Sequence, residues 1–337
     1  MTPAASAASA ASATATASTG PSPAARVALL ALAFAAIAFP FAMQALDASF
    51  YVSVASRMMI YAIAATSLNL VLGYGGLVSF GHAAFFGIGA YTVGILITEG
   101  VVSGWIGIPL AMGIAALFAT VIGAVSLRTR GVYFIMITLA FAQMLFYLVN
   151  SVKAYGGDEG LNLKLRSSLG FGLNLKDDAT FYFVVLACLA GTLLAVHRIM
   201  GSRFGRIVLA MRDDDVRAEA IGVPTFRYKL VLFVIAAALG GLSGALMVNQ
   251  QNYVNPNVLH WTQSGTLMVM VILGGVGTLW GGVLGAFVLL LLEEVISAYT
   301  VHWQFWVGWI LLAIVLYAPR GLVGLVSRAL GRGAGRK

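Results

Sequence analysis

Long apolar runs separated by short polar segments make up most of the chain. The runs fall near residues 24–46, 51–72, 76–98, 105–127, 131–152, 180–200, 229–249, 263–278, 280–298 and 303–319. About 20 consecutive apolar residues form a helix that spans the hydrocarbon core of a bilayer. The runs are continuous rather than alternating, which disfavours a transmembrane β-barrel. The pattern therefore predicts an all-α integral membrane protein with about ten transmembrane helices.

The amino-acid composition agrees with this prediction. Hydrophobic residues make up 60% of the chain and charged residues 9%, against roughly a quarter charged residues in soluble domains. The 39 glycines favour a packed helical bundle, because small residues let helices approach closely in lipid. Within residues 263–298, the glycine-rich stretch LGGVGTLWGG predicts a tight turn or a broken helix near one membrane face.

The two ends of the chain differ from its apolar body. Residues 1–23 are nearly all Ala, Ser, Thr, Pro and Gly, which predicts a disordered tail. Residues 24–46 could be the apolar part of a signal peptide, but the cleavage context is poor and the length suits an uncleaved first helix. Residues 24–321 then form the transmembrane domain, and residues 322–337 form a basic cytoplasmic tail.

Lysine and arginine residues indicate the orientation of the helices. With ten helices and both termini in the cytoplasm, 15 of the 20 Lys and Arg residues lie on the cytoplasmic side, as the positive-inside rule requires. This arrangement places the loop at 201–228 in the cytoplasm and the loop at 153–179, called the outer loop, on the opposite side. The formal charge of +8 therefore reports topology, and no nucleic-acid partner is expected.

Charge is concentrated between Arg198 and Lys229, where 32 residues hold 11 of the 32 charged side chains. Residues 206–211 suit a short helix, and the Asp213–Asp215 run offers N-cap oxygens for a second helix through residues 216–221. Gly222 stands where a left-handed C-cap is favoured, and Pro224 follows it. The sequence therefore predicts two short helices joined by an acidic turn.

Apolar residues within this charged stretch suggest that it binds another protein. The apolar component comprises Ile207, Met211, Ala218 and Ile221. An ordinary solvated loop is the alternative interpretation. We favour a docking surface, because short connections suffice between membrane helices and this one carries helix caps as well as apolar residues.

A few polar residues enter the apolar runs. Ser79 and His82 lie in a run rich in glycine and alanine, and Thr138 and Gln143 lie in the run at 131–152. Hydrogen bonds between helices, or to a neighbouring backbone group, are one explanation for such residues. The other is that they flank a path for a solute. They are therefore the candidate residues of a translocation path.

Three further features lie outside these two regions. The outer loop contains Gly156, Gly157, Asp158 and Glu159, whose flexible backbone could fold over an opening or form a plain turn. Arg57 is predicted to snorkel outward from its helix, with contact to a carboxylate as the alternative. The paired residues 293 and 294, both Glu, are expected to face water or protein rather than lipid.

The chain lacks the familiar signatures of catalysis. No HExxH, GxSxG or CxxC motif occurs, and the four histidines are not spaced as metal ligands on one helix. No GxxxxGK[ST] phosphate-binding loop occurs either. We therefore predict no catalytic residue, no metal and no cofactor, and any ATP that drives transport must be bound by another subunit. An ion-coupled secondary transporter is a less favoured alternative, because few charged groups lie within the runs.

Several segments together resemble a known family. GYGGLVSFGHAAFFGIGAY, LRTRGVYFIMITLAFAQM, FGRIVLAMRDDDVRAEAIGV and LGGVGTLWGGVLGA occur in this order and are followed by APRGL. They resemble the permease subunits of ABC importers for branched-chain amino acids, the LIV-type permeases, over roughly residues 50–325. The RGVYF segment and the longer outer loop are similar to the M-type rather than the H-type subunit.

The resemblance implies a role and a set of partners. The loop at 201–228 would be the coupling loop, which sits in a groove of an ATPase subunit. Its matching positions are Gly205, Arg206, Ala210, Arg212, Asp213, Ala218 and Gly222. The family implies two cytoplasmic ATPase subunits, an H-type second permease and an extracytoplasmic solute-binding protein, in a bacterial inner membrane.

The resemblance also implies a substrate class. Import of branched-chain or other hydrophobic amino acids by alternating access is the expected function. Many amino-acid members carry a GGPNGL-like outer motif, whereas this chain has GGDEGL at residues 156–161. Urea, short amides or another small solute are therefore alternative substrates for the same machinery.

Overall fold

The computed structural model describes residues 34–44, 49–163, 166–168, 177–318 and 321–324. The predicted tail at 1–23, the first part of the run at 24–46, much of the outer loop after residue 163 and most of the basic tail lie outside these residues. A boundary between Ser49 and Phe50 divides the chain into two units. Helix α1, Phe34–Gln44, belongs to the first unit, and all the features discussed below belong to the second.

The second unit is built from α-helices. They are α2 Ser49–Asn69, continued by a π-helical turn Leu70–Tyr74, α3 His82–Thr98, α4 Gly104–Ser126, α5 Val132–Ser151, α6 Asp178–Gly201, α7 Arg203–Asp213, α8 Asp215–Ala220, α9 Thr225–Gln251, α10 Trp261–Gly274, α11 Gly281–Ser297 and α12 Trp303–Tyr317. Two 3₁₀ turns, Lys153–Tyr155 and Pro256–Leu259, and two short strands complete it: β1 Leu161–Asn162 and β2 Tyr253–Val254.

Each of the ten predicted apolar runs overlaps a helix in the described residues. Five helices are long and apolar enough to cross a membrane: Phe50–Tyr74, Gly104–Ser126, Val132–Ser151, Asp178–Gly201 and Thr225–Gln251. The prediction of an all-α membrane protein is therefore confirmed. The number of crossings and the side on which each terminus lies stay predictions.

The five long helices fall into a central and a peripheral group. The most apolar part of the α2 span is 83% buried and that of α9 is 78% buried, whereas the values for α4, α5 and α6 are 28%, 22% and 33%. A helix that is apolar all round and still exposed along most of its surface suits contact with lipid. Helices α2 and α9 therefore form the centre of the bundle.

Small residues allow the central helices to pack closely. A Cβ atom added at Gly244 of α9 would overlap the backbone of α3 at Phe86, and one at Gly89 of α3 would overlap the backbone of Gly241. Such close approach supplies the dispersion contacts that hold helices together where lipid gives no hydrophobic drive. The predicted packing role of the glycines is confirmed at these positions.

The glycine-rich stretch at 274–282 forms a tight turn between α10 and α11. Gly275 and Gly277 adopt φ angles of 126° and 74°, which side chains rarely allow. Added Cβ atoms at Gly274 and Gly285 would overlap the facing backbone of the hairpin. The predicted turn is confirmed, and glycine is required there for both conformation and space.

One of the predicted runs contains an irregular segment. The run at 76–98 is not one helix, because residues 75–81 are non-helical and α3 begins at His82. Gly76 in this segment has a φ of 67°, which ends helical geometry. Helix α10 likewise follows an irregular connection at residues 252–260. An apolar run indicates that a segment is buried, but it does not fix the conformation of its backbone. Residues 75–81 are partly buried and are not helical.

The coupling loop folds as its capping signals predict. Helix α8 begins after Asp214, whose side chain accepts a hydrogen bond from the Arg217 N–H at 3.0 Å. Gly222 ends it with a φ of 85°. Asp214 thus acts as the N-cap among the three aspartates, and the first helix extends from Arg203 to Asp213. The prediction of two short helices with an acidic turn is confirmed.

The described part of the outer loop is attached to the segment that precedes α10. Strand β1 pairs antiparallel with β2, with Leu161 opposite Val254 and Asn162 opposite Tyr253. An added Cβ at Gly160 would overlap the backbone of Val254, so the two segments lie in close contact.

Candidate functional site

Helices α3 and α10 begin beside each other inside the bundle. The Ala83 N–H of α3 donates a hydrogen bond of 2.8 Å to the Ser264 hydroxyl of α10. The rings of Phe80 and Trp261, which lie just before and at these helix starts, are 6.3 Å apart. We call the region where these two helices begin the junction.

The junction lies deep in the protein. An added Cβ at Gly240 would lie 3.4 Å from His82 Nε2, and Gly240 is near the middle of α9, a 27-residue helix about 40 Å long. Irregular backbone at such depth is tolerated where protein shields it or where it lines a cavity. In membrane transporters, broken helices of this kind mark the region of the solute site.

Three of the four predicted path residues meet at the junction. Ser79, His82 and Thr138 are at most 1% exposed. The Ser79 hydroxyl accepts a hydrogen bond of 3.2 Å from the Gly81 N–H, and a Cβ at Gly81 would lie 3.0 Å from the Thr138 carbonyl oxygen. The three path candidates named from the sequence are therefore neighbours in the structure, and their role in transport stays a prediction.

His82 is held by a hydroxyl of the central helix α2. The Ser67 hydroxyl donates to the Ala64 carbonyl oxygen at 2.7 Å and lies 2.7 Å from His82 Nε2. The contact between Ser67 and His82 joins α2 to the start of α3. The His82 Nδ1 has no hydrogen-bond partner among the described residues. The interhelical hydrogen bond expected of His82 is confirmed.

Gln143 is not joined to the other three residues by a hydrogen bond. It is half-buried, and its Oε1 has no partner among the described residues. One turn further along α5, the Phe146 ring lies 5.2 Å from the ring of His260, at the start of α10. Sequence reasoning missed Ser67 and Ser264, because a single serine in an apolar run carries no signal of its partner.

The predicted coupling residues divide into exposed and buried groups. The exposed group comprises Arg206, Ala210, Arg212, Asp213 and Gly222, and the buried group comprises Gly205 and Ala218. Two residues of the apolar component that favoured docking, Met211 and Ala218, are 4% and 5% exposed and pack inward, so they form no part of an exposed surface. The most exposed large apolar side chains of the loop are Ile221, 77% exposed, and Val216, 66% exposed. Val216 was not identified from the sequence.

Ionic and polar contacts attach α8 to its neighbours. Asp215 accepts a hydrogen bond of 2.6 Å from the Lys229 ammonium of α9. Glu219 lies 3.1 Å from the Arg130 guanidinium, just before α5, and accepts a bond of 2.8 Å from the Thr225 hydroxyl. Helix α8 is therefore fixed to the starts of both α5 and α9.

Arg212 points inward from the coupling loop. Its Nη1 donates a hydrogen bond of 3.0 Å to the Gly73 carbonyl oxygen, in the π-helical turn that ends α2. Its Nη2 lies 3.4 Å from the carboxylate of Asp213. Added Cβ atoms at Gly76 and Gly277 would lie 2.8 Å and 3.3 Å from the Arg212 side chain. The loop thus contacts the central helix directly.

The predicted outer-loop residues form a compact turn. Gly156 and Gly157 have φ angles of 86° and 51°, and the Tyr253 hydroxyl donates a bond of 2.7 Å to the Glu159 carbonyl oxygen. The side chains of Asp158 and Glu159 are exposed. The backbone conformation fits a turn, and closure over an opening stays a prediction.

Arg57 contacts an acidic side chain of another helix. Its Nη2 lies 3.7 Å from Glu293 Oε1 of α11, and its guanidinium carbon lies 6.0 Å from the centre of the Tyr61 ring. The alternative of a carboxylate partner is therefore confirmed, and outward snorkelling of Arg57 stays a prediction. Among the described residues, no cluster of three or more His, Cys, Asp and Glu side chains is suited to a metal.

The comparison with known families addresses the same part of the chain. The family described as the permease component of the branched-chain amino acid transport system matches residues 50–318. The chain belongs to this family. The match to this permease family covers α2 to α12, and therefore includes the junction and the coupling loop.

Individual relatives extend this result. The high-affinity branched-chain amino acid transport system permease protein LivM of Escherichia coli (strain K12) is 28% identical over 319 residues, covering 88% of this chain and 74% of the relative. LivH of the same strain is 27% identical over 285 residues, covering 78% and 91%. The probable LivM of Methanocaldococcus jannaschii is 24% identical over 315 residues, covering 78% and 90%. No solved structure matches this permease.

Proposed function

We propose that this chain is a membrane-spanning permease subunit of an ATP-driven ABC importer, and that it carries branched-chain or other hydrophobic amino acids across the bacterial inner membrane. The observation that carries the proposal is membership of the permease family over residues 50–318. The LivM and LivH relatives, which are named as high-affinity branched-chain amino acid permeases, support the substrate class. ATP is bound by partner subunits, so this chain is not itself an enzyme and needs no cofactor.

The proposed transport complex contains two ATPase subunits, an H-type permease and a solute-binding protein. Similarity to both LivM and LivH supports a pair of related permeases. The coupling loop supports contact with an ATPase, since Val216 and Ile221 are large apolar side chains exposed on a charged surface. Apolar side chains surrounded by polar ones are typical of the centre of a protein interface.

The proposed solute path passes the junction. Ser79, His82 and Thr138 supply polar groups at this depth, with Gln143 as a further candidate. Alternating access requires the same elements to take two arrangements, biased by partners that bind one arrangement more tightly. A broken helix suits this requirement, because its irregular segment changes conformation without breaking the backbone hydrogen bonds of a whole helix.

The proposed ATPase contact is tested with an aspartate at Val216, and Val301→Asp serves as the matched control. Val301 is 91% exposed and follows the last residue of α11, whereas the glycine turn that Arg212 contacts precedes the first. The complete complex is assembled in proteoliposomes, and ATPase retention and uptake of labelled leucine are measured. We expect Val216→Asp to weaken ATPase retention and uptake, because a buried unpaired carboxylate opposes the interface. Val301→Asp is expected to alter neither.

Unchanged ATPase retention in Val216→Asp would contradict the proposed contact. Uptake by this chain alone, driven by an ion gradient without ATP, would instead establish the secondary-transporter alternative. The substrate is tested separately, by competition of leucine uptake with urea and short amides. The GGDEGL sequence at 156–161 is the observation that favours this second substrate class, and strong competition by urea would support it.

A further inference from the structure

The end of α2 is in contact with the coupling loop and with the turn between α10 and α11. It carries a π-helical turn, Leu70–Tyr74, whose altered hydrogen bonding is frequent at functional positions. Arg212 of the coupling loop binds the Gly73 carbonyl oxygen in this turn. The last carbonyl groups of a helix lack intrahelical partners and carry the negative end of its dipole. A guanidinium is therefore well suited to this position.

Asn69, one turn before Gly73, holds the turn between α10 and α11. Its Oδ1 accepts a hydrogen bond of 2.9 Å from the Gly277 N–H, and its Nδ2 donates one of 2.7 Å to the Thr278 carbonyl oxygen. Asn69 is 1% exposed. Both ends of one buried amide are therefore used to fix α2 to a single glycine turn.

Glycine leaves little free space around these contacts. An added Cβ at Gly73 would overlap both Asn69 Oδ1 and the Gly277 backbone. A Cβ at Gly277 would lie 3.2 Å from the Gly73 carbonyl oxygen and 3.3 Å from Arg212 Nη1. Close-packed groups of this kind transmit displacement, because they cannot be compressed independently. We call Arg212, Asn69, Gly73 and Gly277 the clamp.

Two paths lead from the clamp to the start of α3. Along α2, Ser67 lies about 9 Å from Gly73 and binds His82. Along α10, Ser264 lies about 15 Å from Gly274 and accepts the N–H of Ala83. His82 and Ala83 are the first two residues of α3. The clamp is therefore connected to the junction through both helices.

We propose that Arg212 and Asn69 are the positioning residues that connect the coupling loop of this permease to its junction, with Arg212 directed inward to Gly73 rather than outward to an ATPase. The inference rests on the proposed function as an ATP-driven permease. It assigns Arg212 a different role from Val216 and Ile221, which face outward. Displacement of α7 and α8 moves the end of α2 and the α10–α11 turn together, and thereby the start of α3.

The test compares ATP hydrolysis with uptake in the complete complex in proteoliposomes. Three variants are compared with the wild type: Arg212→Ala, Arg212→Lys and Asn69→Leu. Arg203→Ala is the matched control, because Arg203 is an exposed arginine on the same helix. Co-purification of the ATPase subunits is measured for each, together with leucine uptake per ATP hydrolysed and the stimulation of hydrolysis by the loaded solute-binding protein.

We expect Arg212→Ala to retain its ATPase subunits and to hydrolyse ATP, but to lose at least roughly fivefold in uptake per ATP, the lower end of typical coupling between sites. Arg212→Lys is expected to restore much of the coupling, since an ammonium still donates to one carbonyl oxygen. Asn69→Leu is expected to reproduce the uncoupled behaviour, although Asn69 is buried away from the coupling surface. The double variant is expected to be no worse than the worse single variant, because both act on one connection.

Loss of ATPase co-purification in Arg212→Ala would overturn the inference, since Arg212 would then be an interface residue. Normal coupling in Asn69→Leu would also overturn it. If Asn69→Leu does not assemble, the Arg212→Ala and Arg212→Lys pair decides the question, because the Arg212 side chain is 39% exposed and its replacement disturbs packing less. A wild-type complex without ATP-dependent leucine uptake would refute the proposed function instead, so the two failures are distinct.

Discussion

The hydrogen bond between Ser264 and Ala83 gives a sharp prediction about stability. Ser264 and Ala83 are both fully buried, and the Ala83 N–H lies in the first turn of α3, where no intrahelical acceptor exists. Ser264→Ala therefore leaves a backbone donor unpaired inside the bundle. The matched control is Ser56→Ala, since Ser56 is 1% exposed and its hydroxyl donates to the Val52 carbonyl oxygen within α2.

The expected magnitudes differ for a physical reason. A side-chain hydrogen bond between membrane helices contributes about 0.6 kcal/mol on average, and an unsatisfied buried donor costs about 1–3 kcal/mol. Ser264→Ala should therefore destabilise the folded protein by about 1–3 kcal/mol. Ser56→Ala removes a donor but leaves a carbonyl that the helix already binds, so its cost should stay below about 1 kcal/mol.

Equilibrium unfolding by SDS titration in mixed micelles measures both variants on one scale. The difference between the two free energies of unfolding is the decisive quantity, because effects of serine removal common to both sites cancel. Equal destabilisation by Ser264→Ala and Ser56→Ala would refute the reasoning. It would mean that the start of α3 finds another acceptor, and that the junction is not held by Ser264.

Three further predictions concern single positions. Gly244→Ala should cost about 1–3 kcal/mol in the same unfolding assay, because the methyl group overlaps the α3 backbone. Gly113→Ala is the control. It has open space around it and should be neutral or stabilising by up to about 1 kcal/mol. Equal effects would contradict close packing of α3 and α9. Asp214→Ala should destabilise α8 by about 0.5–2 kcal/mol, which is measured as faster amide hydrogen exchange in that helix. Asp213→Ala should have a smaller effect. A larger effect of Asp213→Ala would disprove the assignment of Asp214 as the N-cap. Gly222→Ala should lower the free energy of unfolding by about 1–2 kcal/mol, because residue 222 has a left-handed backbone conformation. A cost no larger than that of Gly113→Ala would disprove this explanation.

Local chemistry explains which parts of the fold could be predicted from the sequence. Apolar runs located the helices because hydrophobicity decides which segments leave water. The two short helices of the coupling loop were also predictable, since Asp214 and Gly222 act on backbone groups a few residues away. Information of this kind is present in any short window of the chain.

The start of α3 was not predictable from the same signals. Residues 75–81 are apolar and buried in part, so hydrophobicity gives no sign that their backbone is irregular. The deciding constraint is tertiary, because Ser264 satisfies an N–H that a longer helix would have satisfied itself. A sequence window around His82 contains no trace of a partner in α10.

The polar contacts were predictable only as candidates. Ser79, His82 and Thr138 stood out because polar groups are rare in apolar runs, and the structure brings them together. The partners of Arg57 and Arg212 were not identifiable, since Glu293 and Gly73 are distant in sequence and one of them contributes only a backbone carbonyl. Burial of Met211 and Ala218 was missed for a similar reason, because an amphipathic helix does not reveal which surface it covers.

The pairing of β1 with β2 means that helix α10 is attached to other segments at both of its ends. At its first end, α10 follows the segment that carries β2 and holds the outer loop. At its last end, it enters the glycine turn fixed by Asn69. Helix α10 has 14 residues and is attached at both ends, so a displacement of one end is transmitted to the other. Thermodynamic linkage then demands reciprocity: whatever factor a ligand at the outer loop imposes on binding at the coupling loop, the latter must impose in return.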